Sequence, residues 1–175
     1  KGVAPPAPAS DPKSIVLQGS LEQWDDVGPE FLDHVGETAP RDHQGTSGQH
    51  YTNRTGRNDL VAMKVARDEK KVAFHVRTRE ALTAPSDPNW MWLFLDTDQN
   101  TATGWEGYDY LVHRSVDPDG AAWLERNDGG WRWTRVAKVS SRVVGNALQL
   151  VIPREALGLP QGQTRLALDF KWADN

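Results

Sequence analysis

From residue 14 onward, short apolar stretches alternate with clusters of turn-forming residues, and this rhythm commits the chain to strands. Strands are predicted near residues 15–17, 60–66, 72–77, 90–96, 108–114, 121–127, 131–136, 139–144, 147–152 and 164–172. Asp128-Gly129-Gly130 and Gly145-Asn146 lie between predicted strands, where residues tolerant of positive φ close hairpins. Helix is scarce: Pro153 to Gly158 supports one short turn, with Pro at its start and Gly at its end. Two polar stretches, 33–56 and 78–89, exceed ordinary connection lengths and are expected to be loops at a binding edge.

The size of 175 residues suits one domain. A composition of 38% hydrophobic and 25% charged residues can build a core. Net charge is −4 with scattered basic residues, so no stripe of Lys and Arg is available to neutralise a phosphate backbone, and nucleic acid is excluded as a partner. No apolar run approaches the roughly 20 residues of a membrane-spanning helix, so membrane insertion is not expected. The absence of cysteine removes disulfides, thiolate nucleophiles and zinc-thiolate sites together. Residues 1–13 are rich in Pro and Ala without apolar periodicity, which predicts an extended interdomain linker. The domain proper is then residues 14–175, and the opening Lys1 points to an excerpt or mature form of a larger protein.

The sharpest chemical signal is Asp96-Thr97-Asp98-Gln99-Asn100, followed by Gly104-Trp105-Glu106-Gly107-Tyr108-Asp109. Oxygen side chains of Asp96, Asp98 and Asn100, with Asp109 closing the loop, are candidate ligands for a hard cation such as structural calcium. The pattern is not an EF-hand, because the sixth position lacks Gly and the twelfth is Gly107 in place of Glu. The competing reading is a run of Asx turns in a hairpin.

Eight tryptophans are the second signal. Strand periodicity puts Trp90, Trp92 and Phe94 on one face and Met91, Leu93 and Leu95 on the other, the latter being the core face. Trp24, Trp92 and Trp172 are expected to fill the core. Trp105, in a loop flanked by glycines, and Trp90, at a strand entry, are expected to be exposed, with Trp131 as a third candidate. A flat indole suits stacking on a sugar ring, with Asn53, Arg54 and Arg114 as candidate hydrogen-bonding partners.

The stretch Gly19 to Val27 (GSLEQWDDV) resembles the "DGxLxEW" opening of family 9 carbohydrate-binding modules and their DOMON-like relatives. Leu93 to Asp98 with Gly107 to Tyr110 is similar to the "hFhDxDxxxxxGxDY" segment of that group, and Leu148 to Leu157 (LQLVIPREAL) to its "hExxIPxxxL" signature. The resemblance implies an all-β, two-sheet antiparallel β-sandwich of jelly-roll-like form with bound calcium and a tryptophan pair clamping a glycan end. Trp90 and Trp105 are the candidates for that pair. The expected function is then a non-catalytic carbohydrate-binding module of a secreted or cell-surface, multidomain protein of polysaccharide degradation, covalently linked to a catalytic domain. Two alternatives share the scaffold: a structural or docking spacer without sugar affinity, and a haem-binding electron-transfer domain using Met63, Met91, Lys64 or a histidine as axial ligand. No G-x-S-x-G elbow, H-E-x-x-H pair or P-loop is present, so an enzyme is not expected.

Overall fold

The computed structural model describes residues 7–36, 41–44, 50–87, 89–117, 121–163 and 165–174. Residues 1–6 of the predicted linker lie outside them. Among the described residues, eleven strands run in chain order: β1 (Phe31–Leu32), β2 (Arg41–Gln44), β3 (His50–Asn53), β4 (Leu60–Arg67), β5 (Lys71–Thr78), β6 (Trp92–Asp96), β7 (Tyr110–Val116), β8 (Ala122–Asn127), β9 (Trp133–Val144), β10 (Ala147–Pro153) and β11 (Asp169–Ala173). Two short 3-10 turns, Leu21–Trp24 and Arg154–Leu157, are the helical elements among the described residues. The second ends where predicted, with Gly158 in the left-handed region at φ 64°.

The all-β class holds. Nine strands form a single antiparallel sheet in the order β1-β4-β5-β10-β9-β8-β7-β6-β11, and β2-β3 is a separate hairpin. The sheet curls into a half-barrel because β9 serves both of its halves. Residues up to Val139 pair with β8, and from Ser140 onward the strand pairs with β10. The sequence suggests two strands here, but Ala137 and Lys138 between them are not turn formers, and the chain continues straight through. The predicted strand at 15–17 is instead a turn leading into the first 3-10 element, pinned where the Arg142 guanidinium donates to Leu17 and Gly19 carbonyls at 2.8 and 2.9 Å. The 33–56 stretch, expected as loop, carries the β2-β3 hairpin.

Alternation decides which side chains meet inside the curl. Phe74 and Val76 of β5 with Leu148, Leu150 and Ile152 of β10 face Leu93 and Leu95 of β6, Val112 of β7 and Leu124 of β8. All are fully buried, each contributing about 2 kcal/mol of transfer free energy. At the open seam Phe31 of β1 and Phe170 of β11 meet at 5.3 Å, and Phe170 also packs on Phe74.

The outer face is treated differently on the two halves. Over β4, β5 and β10 it is covered by the segment around Trp24, whose indole donates to Gln149 Oε1 at 2.7 Å and stacks on His75 at 5.0 Å. Ile15, Val27, Ala66 and Ala73 complete that second core. Over β6 to β9 the outer face carries a group of aromatic rings.

Candidate functional site

Two features of the sequence build this aromatic face. In β6 the alternation places Leu93 and Leu95 inward and Trp92 and Phe94 outward, and Leu111 of β7 pairs with Phe94 on the same side. In the loop after β6, Trp105 and Tyr108 exchange backbone hydrogen bonds of 2.9 and 3.0 Å across Glu106 and Gly107, which have φ of 51° and 94°. Positive φ at both central positions is the type I′ pattern, so a two-residue turn presents both rings to Phe94. Gly104 is obligatory: a Cβ there would lie 2.2 Å from the Tyr108 carbonyl oxygen.

The rings form a contiguous set. Phe94 is the base, with Tyr108 at 5.3 Å, Trp105 at 5.7 Å and Trp133 at 6.4 Å between centroids. Trp131 lies across the top, 4.6 Å from Trp105 at an interplanar angle of 71° and 5.9 Å from Trp92 at 32°. Trp131 is 47% exposed, Trp105 and Trp92 are half-buried, and Trp133 is buried with an indole N–H that has no acceptor among the described residues. Lys171 of β11 pairs with Phe94 in register and stands exposed at the border.

Trp105 and Trp131 thus come together, but Trp90 does not join them. It is 3% exposed, donates its indole N–H to the Thr83 carbonyl at 3.0 Å and packs edge-on against His113. The alternation that predicts its exposure fails because β6 begins only at Trp92, and Met91 takes φ 45°, which turns Trp90 into the core. Trp92, expected inside, takes the outer place; Trp24 and Trp172 are buried as expected. Arg114 is also redirected. Its guanidinium makes a two-pronged pair with Glu125, both contacts at 2.9 Å, and Ser115 Oγ donates to the same carboxylate at 3.0 Å. Glu125 is 1% exposed, so Arg114 is the counter-charge of a buried acid. Arg54 belongs to the separate hairpin and pairs with Asp42 at 2.7 Å. Asn53 lies at the end of β3, and the placement of its side chain is outside the described part of the structure.

Beside Trp105 the acidic loop converges as the spacing suggests. Carboxylate oxygens of Asp96, Asp98 and Asp109 lie within 4.8 Å of one another. Calcium binds oxygens at about 2.3–2.6 Å, so ligands of one ion lie within about 5 Å of each other, and the trio fits that limit. The Asx-turn reading is equally present in the geometry. Asp96 Oδ1 accepts from the Gln99 N–H at 2.6 Å, Asp98 Oδ1 from Asn100 N–H at 2.9 Å, and Asn100 Oδ1 from Ala102 N–H at 3.1 Å. Thr97 donates backbone and hydroxyl to Asp109 Oδ2. Turn bonds therefore aim the carboxylates at a common point. Burial, and after it the negative charges of Asp169, Asp96 and Glu106, push the Tyr108 phenol pKa up.

Of the residues the haem alternative would draw on, Met63, Met91, Lys64, His75 and His113 are engaged within the fold. Met91 is fully buried in the core cluster, Met63 packs on the same core, and the Lys64 ammonium is spent on the Trp24 carbonyl at 2.8 Å. His75 and His113 are enclosed by Trp24 and Trp90, and burial brings the pKa of each down to about 4.

The contribution of Phe94, Tyr108, Trp92 and Trp133 is not read from the sequence. The usable signal is the pairing of two i, i+2 aromatic doublets, Trp92/Phe94 and Trp131/Trp133, with a Gly-bounded Trp-x-x-Tyr neighbourhood in the loop after β6. Comparison with family models, curated proteins and solved structures finds no match to the chain.

Proposed function

We propose that this chain is a non-catalytic carbohydrate-binding domain, akin to the family 9 modules and their DOMON-like relatives, that stacks sugar rings on Trp131, Trp105 and Trp92. The observation that carries this reading is the exposed Trp131 on a base of five further rings. An indole kept half in water on a rigid apolar bed loses free energy unless something covers it, and the axial C–H face of a sugar has the matching shape and polarity. Lys171 at the border offers a donor to hydroxyl or ring oxygens.

In this reading Asp96, Asp98 and Asp109 hold a calcium ion that braces the loop carrying Trp105, and the ion takes no part in chemistry. On this reading the single curled sheet stands in the place of that group's two-layer sandwich, with the long strand β9 pairing on both of its halves. The host is a secreted or cell-surface multidomain protein whose catalytic domain this module delivers to polysaccharide. The test is a glycan array probed with the chain and with Trp131→Ala. Saturable binding to a polysaccharide class, lost in the variant while its melting temperature is kept, supports the proposal. Binding unchanged in the variant overturns the stacking on Trp131, and binding to no glycan overturns the proposal in favour of a spacer.

A further inference from the structure

Away from the aromatic face, the seam of the half-barrel contains a cavity of about 690 Å³, within the usual range for small-molecule sites. It lies between β1 and β4 on one side and the chain entering β11 on the other, lined by Phe31, Val65, Leu166, Leu168, Phe170 and Arg165 among others. The two walls follow the same order. From the Phe31–Phe170 contact at 5.3 Å, one runs along β4 past Val65 to Arg67, and the other back through Leu168 and Leu166 to Arg165. Met63, paired with Phe31, is four residues from Arg67, so the β4 wall extends roughly 13 Å at the rise of a strand. Both ionisable side chains of the lining are arginines, and no carboxylate is among the lining residues. Arg67 already donates to the Ser10 carbonyl, whereas Arg165 is exposed at the mouth and makes no ion pair among the described residues.

We infer that this cleft binds a small amphipathic carboxylate, a free single-chain fatty acid of medium length, with its tail along Val65, Leu166 and Leu168 toward the phenylalanines and its head at Arg165. An elongated apolar trough excludes water along an aliphatic chain, and a guanidinium at its open end matches a carboxylate in charge and fork geometry. The lining offers no His, Met, Cys, Lys or Tyr, so it holds no axial ligand for a haem iron. The site is independent of the sugar platform, because it shares no residue with the aromatic face.

The test is calorimetric titration of the full chain with dodecanoate below its micelle concentration, beside dodecanol and dodecyltrimethylammonium. Saturable binding of one dodecanoate per chain is expected, with at least tenfold weaker binding of the other two. Arg165→Glu should weaken dodecanoate binding at least tenfold, and Val65→Trp should abolish it by filling the trough. Trp131→Ala should leave it unchanged, and melting curves confirm that each variant is folded. Absence of saturable dodecanoate binding overturns the inference, as does equal affinity for dodecanol with no effect of Arg165→Glu. Loss of binding in Trp131→Ala would also overturn it, by placing the ligand on the aromatic face.

Discussion

Removing Arg114 should destabilise the fold although the residue sits partly in water. Glu125 is buried on the outer face of β8 and receives three donors, two from Arg114 at 2.9 Å and one from Ser115 at 3.0 Å. Arg114→Met leaves a buried carboxylate with only the Ser115 hydroxyl. Removing one partner of a fully buried pair costs about 3–5 kcal/mol. The Arg114 side chain is 31% exposed, so water reaches the gap and the lower end applies, about 3 kcal/mol. For a domain of this size that is a fall in melting temperature of about 6–12 °C. The double variant Arg114→Met/Glu125→Gln removes the orphan charge and should recover about 2 kcal/mol, a coupling energy of the kind found for residues in contact. The assay is urea unfolding followed by tryptophan fluorescence, with unchanged slope as the check on two-state behaviour. A single variant within about 0.5 kcal/mol of the parent, or a double variant no more stable than the single, would refute the reasoning. Glycan binding by the folded single variant should persist, since the guanidinium faces Glu125.

Three further outcomes follow from the same geometry. Calcium at one hundred times its dissociation constant should stabilise the domain by about 2.7 kcal/mol in thermal unfolding, and Asp98→Asn should abolish most of that gain; a melting curve indifferent to chelator contradicts the brace. Gly104→Ala should cost about 2 kcal/mol or more by denaturant titration, because its Cβ would meet the Tyr108 carbonyl at 2.2 Å and its φ is 66°; an unaffected midpoint contradicts it. His113 is held neutral in the fold at a pKa of about 4 against 6.5 unfolded, so the unfolded state binds more protons between those values. Its contribution is present in full above about pH 6.5 and is lost as pH falls toward 4, at up to about 1.4 kcal/mol per pH unit. Stability measured against pH should therefore flatten over that window in His113→Leu, and an identical slope in parent and variant contradicts it.

Much of the fold was legible because burial and alternation agree. In β5, β8 and β10 the positions facing the core are mainly apolar, so the strands and their inward faces are readable. The acidic loop was legible for the same reason, since Asx spacing and carboxylate convergence are both local. Trp90 and Trp92 were not, because one residue of left-handed backbone at Met91 shifts which of them faces the core, and a non-glycine in that conformation leaves no mark in sequence. The role of Arg114 was hidden by long-range pairing with Glu125, reached through an irregular β7-β8 register between Val112 and Val116. Trp131 and Trp105, twenty-six residues apart, meet only because the two intervening strands, β7 and β8, bring their loops together, a consequence of topology.

The most direct test of the account is nuclear magnetic resonance of the indole N–H groups during titration with the best oligosaccharide from the array. Eight tryptophans give eight such signals. The account predicts saturable shifts of Trp131, Trp105 and Trp92, with Trp24, Trp90 and Trp172 unmoved. Shifts centred on the buried set, or no saturable change in the Trp131 signal, would contradict it.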